Sequence, residues 1–145
     1  YTESGDPAKL TYYYKDEDTG LWFPSWKEEF TYDSNGNFIK LESSEFIGYY
    51  QKWFPKLLQT NEYNNQQQKI TEINSEWKLF DTIWVLNDKR IYSYDVNNNN
   101  TLMVHQFYNT ADSIFYSGFQ EIYSYNQSNQ ITQMLYQIKS NVGWN

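Results

Sequence analysis

Apolar and polar side chains alternate along this chain in short runs. In residues 27–33, Lys-Glu-Glu-Phe-Thr-Tyr-Asp, Phe30 and Tyr32 fall on one side and Glu29 and Thr31 on the other. That two-residue period is the mark of a half-buried strand. Residues 90–94 and 121–125 repeat it, with Ile91 and Ile122 on the second side. Asp33-Ser34-Asn35-Gly36-Asn37 comes next. Asn-Gly between alternating runs is a strong hairpin signal, because both central residues of a tight primed turn take positive φ. The corresponding turns are Gln66-Gln67-Gln68, residues 97–100 around Asn98, and Ser128-Asn129-Gln130. Gln enters the left-handed region less readily than Asn, so the second turn is expected to be longer or less regular. Returning strands are predicted over 38–47, 69–79, 101–107 and 131–138. No stretch shows a helical period. The 3 Pro and 6 Gly are expected at turns and ends, leaving the strands uninterrupted.

The pattern is periodic over a longer distance. Tyr32, Tyr63, Tyr94 and Tyr125 recur at one constant step in the numbering, and the same step backwards reaches Tyr1. A second column with that step is Trp22, Trp53, Trp84 and Phe115, and a looser third is Phe46, Trp77 and Tyr108. A fixed period of this size signals one supersecondary unit used repeatedly. The expected fold is all-β: an antiparallel meander of about 31-residue hairpin repeats. They are phased at 1–31, 32–62, 63–93, 94–124 and 125–145 in a single array. An open twisted sheet or a β-solenoid is favoured over a closed barrel, because each unit needs only its neighbours. Both ends fall in mid-repeat. The start, Tyr-Thr-Glu-Ser, has neither Met nor a leader, which suggests a mature or excised chain.

Composition narrows the functional classes. Aromatics reach 21% of 145 residues, which opposes disorder. A net charge of −7 opposes a nucleic-acid footprint. No apolar run approaches the roughly 20 residues of a membrane span. Cysteine is absent, which removes disulfides, thiolate chemistry and Cys-held metals.

Residues 77–95 carry Trp77 and Trp84, separated by six others, then Tyr92-Ser93-Tyr94-Asp95. This resembles the W-x6-W-x7-Y-[TS]-Y-D pattern of large secreted repeat proteins of Bacteroidetes, flavobacteria especially. There it is followed by S-N-G-N, as at Ser34-Asn35-Gly36-Asn37 here. It is also similar to the YD repeats of Rhs and teneurin shells. The likeness spans the chain and weakens at Asn61-Glu62-Tyr63-Asn64, where the first aromatic and the Gly are missing. It implies a secreted or cell-surface structural array of the kind exported by type IX secretion. It implies no catalyst and no cofactor.

Candidate chemistry is sparse. His105 is the only His, and no Gly-x-Ser-x-Gly elbow accompanies it. Glu28 and Glu29 are adjacent and face opposite ways. Glu42, Glu45, Glu72 or Glu76 could supply a two-carboxylate pair from separate strands, yet nothing selects one. Asp33, Asn35 and Asn37, like Asp95, resemble part of a calcium loop without its distal acid; Asx turns explain them without metal. Trp22, Trp53 and Trp84, spaced roughly 10 Å apart if they follow a sheet, offer stacking faces for sugar rings, with Tyr13 and Tyr49 beside them. Packing of the sheet ends explains the same column.

The expected role is therefore structural: a segment of an extracellular fibre or adhesin that associates with neighbouring repeats or with further copies through edge strands. Carbohydrate binding is the alternative, and a YD-type shell fragment ranks after it.

Overall fold

The computed structural model describes residues 5–140 and 143–144. They hold ten strands and no helix: β1 (Lys9–Lys15), β2 (Trp22–Tyr32), β3 (Phe38–Ile47), β4 (Lys52–Tyr63), β5 (Lys69–Lys78), β6 (Ile83–Tyr94), β7 (Asn100–Asn109), β8 (Ile114–Tyr125), β9 (Ile131–Ser140) and β10 (Gly143–Trp144). The sheet order is the chain order, β1 to β10, an antiparallel meander that is open and not closed into a barrel. From β3 to β9 the strand starts advance by the step of the tyrosine column: Phe38, Lys69, Asn100 and Ile131, and between them Lys52, Ile83 and Ile114. Contacts divide the chain into two compact units. One holds the residues up to Thr60 with Ser75–Val85, and the other holds Asn61–Asn74 with the residues from Leu86 on.

In the first unit β2 pairs with β1 and β3, and β3 with β4. Register shifts leave Ser25 of β2 and Lys56 of β4 as extra residues, opposite Tyr12/Tyr13 and Ser43/Ser44. Pro24 and Pro55 stand beside these bulges, inside strands and not in the turns where the sequence pattern places them. Proline has no N–H to give a ladder, and a bulge is where a strand tolerates that loss.

In the second unit β6 pairs with β7, β7 with β8, and β8 with β9. Its bulges leave out Thr101, Thr132 and Gly118. The Thr101 and Thr132 hydroxyls donate to the carbonyls of Ser93 and Ser124, at 3.3 and 3.2 Å. Gly118 lies inside β8, whereas the sequence pattern expects its glycines at turns and ends.

The turns after β2, β4, β6 and β8 have one conformation. Gly36, Gln67, Asn98 and Asn129 take positive φ of 82°, 61°, 67° and 59°. Each donates its N–H to the carbonyl three residues back, from Asp33, Asn64, Asp95 and Asn126. The expected primed turn, with positive φ at both Asn35 and Gly36, does not form. Asn35 keeps an ordinary φ because the Asp33 carboxylate takes the N–H groups of Asn35 and Asn37, at 2.8 and 2.9 Å. The Gln67 turn is as regular as the others for the same reason: Asn64 Oδ1 takes the N–H groups of Gln66 and Gln68, both at 3.0 Å. The opposite turns also share a left-handed residue once per repeat, Gly20, Gln51, Thr82 and Ser113.

Among the described residues Met103 is the only buried apolar side chain; Ser43, Ser44, Thr71, Glu72, Ser75 and His105 are buried polar ones. Apolar contact therefore runs along strand pairs. Gly118 shows how tight these can be. A Cβ placed there would lie 2.3 Å from Cε2 of Phe107, a ring that packs on His105 with centroids 4.6 Å apart. Gly118→Ala should displace that ring and cost about 2 kcal/mol in urea unfolding. Gly48→Ala, where a Cβ meets nothing within 4 Å, should change stability by less than about 0.5 kcal/mol. Equal stabilities would show that Phe107 does not seat on the glycine.

Candidate functional site

The aromatic columns are placed by strand register. Trp53 lies directly opposite Phe46, and Phe115 opposite Tyr108. The rings meet edge-on in three equivalent pairs: Phe46–Trp53, Trp77–Trp84 and Tyr108–Phe115, with centroids 5.2, 5.2 and 5.0 Å apart. The second and third columns are thus two halves of one contact, made where each hairpin crosses its outer turn. Trp22 stands opposite Lys15 and is 65% exposed. Trp144 stands opposite Lys139, whose Nζ lies 5.2 Å from the ring centre. It fills the column's place although it falls short of the repeat step, because β10 begins sooner after β9 than β8 does after β7. Tyr13 and Tyr49 are exposed, and Tyr49 packs on Tyr50. A cleft of about 380 Å³ lies among Tyr14, Phe23, Pro24, Phe46, Gly48 and Gln51.

The tyrosine column serves the hairpins. Tyr32, Tyr94 and Tyr125 donate their hydroxyls to the carbonyls of Pro7, Lys69 and Asn100, each 25 residues earlier. Tyr1 lies outside the described residues, and Tyr63 ends β4.

The carboxylates do not converge. Glu42 pairs with Lys40, Glu45 with Lys56, Glu76 with Lys78, and Glu72 with Lys69 and Arg90. Glu28 accepts from the Tyr12 hydroxyl and the Trp26 indole, and Glu29 pairs with Lys27 and Lys9. Glu72 occupies the place that Leu41, Met103 and Met134 hold in the other repeats. Burial pushes its carboxyl up, but Lys69 Nζ at 2.6 Å and Arg90 Nη1 at 2.5 Å outweigh that and hold it below the usual range. His105 Nε2 lies 3.0 Å from Asp88 Oδ1, which also accepts from Asn74. The ring sits between Phe107 and Phe119, a core position rather than a cleft.

The calcium-like loops turn their oxygens onto amide donors. Asp95 Oδ1 takes the N–H groups of Asn97 and Asn99, and Oδ2 takes Asn99 Nδ2. Asp33 does the same with Asn35 and Asn37. Among the described residues no group of three or more His, Cys, Asp or Glu is placed to hold a metal ion. In the intervening loops Asn64 and Asn126 donate Nδ2 to Gln68 and Gln130 Oε1. The loops thus alternate Asp with Asn and Asn with Gln, so that a donor always meets an acceptor.

One surface differs sharply from its counterparts. β9 is exposed at Met134 (58%) and Tyr136 (48%), whereas Met103 and His105, one repeat earlier in β7, are buried. Ile131, Leu135 and Ile138 are exposed as well. β9 pairs with β8 from Ile131 to Ile138, but β10 covers only Ser140 and Lys139 on the other side. Among the described residues, 131–138 present an unpaired edge. The sequence pattern places a strand at 131–138; its exposure depends on what lies alongside, which alternation does not encode.

No protein-family model and no curated protein matches the chain. It is similar in structure to a Bacteroides fragilis protein with unknown function, at a TM-score of 0.71 and 15% identity over 84% of this chain and 87% of that one. It also resembles DUF3836 family proteins from Bacteroides vulgatus and Parabacteroides distasonis, each at a TM-score of 0.49 and 13% identity, over 62% and 75% of this chain and 89% of each of theirs. The likeness to the first is one of fold.

The loop carboxylates set an acid-side prediction. Side-chain and backbone N–H bonds, those of Asn37 and Asn99 foremost, lower the Asp33 and Asp95 carboxyls below their ordinary 3.8. Their stabilisation is present above that value and lost as pH falls through the folded one. An Asp33→Asn, Asp95→Asn variant should keep the fold, since Asn64 and Asn126 support the same loop. Its stability deficit at neutral pH should vanish toward pH 2, followed by chemical denaturation at several pH values. A deficit that does not change with pH contradicts the carboxylate role.

Proposed function

We propose that this chain is a structural segment of a secreted or cell-surface assembly and acts by extending a β-sheet, not by catalysis. The observation that carries the reading is β9, exposed at Met134 and Tyr136 where Met103 and His105, one repeat earlier in β7, are buried. An edge of unpaired N–H and C=O groups with apolar side chains beside it is a template for another strand. The ion pairing of the candidate carboxylates supports a structural role for those groups. The constant hairpin spacing supports an array in which each hairpin covers the one before it.

Carbohydrate binding is the second reading. It rests on the exposure of Trp22, Tyr13 and Tyr49, because Trp53 and Trp84 spend their rings on Phe46 and Trp77.

A synthetic peptide of residues 83–94, the β6 sequence, tests the first reading. By the register of β7 with β8, its Ile91 should lie opposite Gln133. Amide exchange in 131–138 should slow by tenfold or more, and a scrambled peptide should do nothing. Unchanged exchange in β9 at saturating peptide would overturn the proposal.

A further inference from the structure

We propose that the cleft between the loops 64–68 and 95–99 is a binding site for an uncharged sugar. The site is independent of sheet extension. It shares its ligand class with the second reading and none of its residues.

The cleft has a volume of about 420 Å³, within the roughly 300–1,000 Å³ of small-molecule sites. The loops after β4 and β6 build it, inside the hairpin array. A carboxamide bridge joins them: Gln68 Oε1 accepts from Asn64 Nδ2 at 2.5 Å, and Gln68 Nε2 donates to Asn98 Oδ1 at 3.0 Å. In the next repeat Asn99 makes the same bond to Asn129, at 3.1 Å, through an arm one methylene shorter. The longer arm of Gln68 links its two loops without filling the space between them.

The bridge leaves amide groups over. Among the described residues, the Gln66 carboxamide and Asn98 Nδ2 have no partner. A carboxamide both donates and accepts, as a hydroxyl does. Ile70 and Val96 also line the cleft, where the next repeat has Thr101 and Gln127. Val96 is 98% exposed, so its apolar surface is open to a ligand. Carboxamides beside small apolar side chains suit a pyranose, which carries hydroxyls at its rim and C–H groups on its faces.

Charge restricts the ligand. No basic residue lines the cleft. Its one acid, Asp95, has both carboxylate oxygens engaged by N–H groups of Asn97 and Asn99. No cation in the lining would hold a phosphate, sulfate or carboxylate against a net charge of −7. That sets aside nucleotides and acidic glycans and selects neutral ones.

The repeats supply the variants. Gln66→Ser and Asn98→Gly place here the residues that equivalent loops hold at Ser128 and Gly36. Asn98 and Gly36 both take positive φ, so the double variant should keep the circular dichroism spectrum of the parent. A printed array of neutral, sialylated and sulfated glycans, probed with the labelled chain, should retain it on neutral members alone. With a retained neutral glycan, heteronuclear NMR should show movement of the Gln66 and Asn98 side-chain amide signals. The double variant should bind that glycan about tenfold more weakly, and Trp22→Ala should bind it as the parent does. Retention on no neutral glycan would overturn the proposal, as would retention on acidic glycans alone. Loss of binding in Trp22→Ala, with the double variant unaffected, would overturn this site and leave the second reading standing. Movement of the same amide signals by pentaglycine, and by no glycan, would make the cleft a peptide site and overturn the proposal too.

Discussion

The constraint on which the rest of this structure depends is the lack of an apolar interior. Globular domains offset the entropy of chain ordering chiefly by burying apolar surface. Here one apolar side chain, Met103, is buried among the described residues. Contacts between neighbouring strands must do most of that work, and each is worth only about 0.2–1 kcal/mol. A fold stabilised this way needs many of them in the same geometry. The recurring hairpin supplies it: an edge-on ring pair near one end, an Asx-capped loop at the other, and a tyrosine hydroxyl reaching back 25 residues between them.

The buried polar groups follow from the same constraint. Where a core would place Leu or Met, the second unit has Glu72 held by Lys69 and Arg90, and His105 held by Asp88. A buried charge is tolerated only when paired and hydrogen-bonded. Both clusters join different strands: Glu72 of β5 meets Arg90 of β6, and His105 of β7 meets Asp88 of β6. They mark particular neighbours in a sheet whose strands otherwise look alike.

Much of the fold was legible because its information is local. Alternation located β2, β3 and β5 to β9 in whole or in part but not β1, β4 or β10, and the tyrosine and tryptophan columns located the equivalences. The loops were harder. Asn-Gly at 35–36 suggested a primed turn, but the residues that decide the loop are Asp33 and Asn37, and the fifth position pairs with the first in every copy. The bulges were not read either: Pro24 and Pro55 were expected at turns or ends, whereas their strands run through them. Aligning positions 41, 72, 103 and 134 would have flagged Glu72 as the polar residue in an apolar series. The β9 edge was out of reach, because its residues are typical of a strand and only their neighbours set them apart.

The central claim is that strand-to-strand contacts take the place of a core, and the heat capacity of unfolding tests it most directly. Exposure of apolar surface raises that quantity, and globular domains give about 12–15 cal/mol/K per residue. Scanning calorimetry of the monomeric chain over a range of pH should give a value clearly below that band, with cooperative unfolding. A value within the band would mean that as much apolar surface is hidden as in an ordinary globular domain, and would contradict the account.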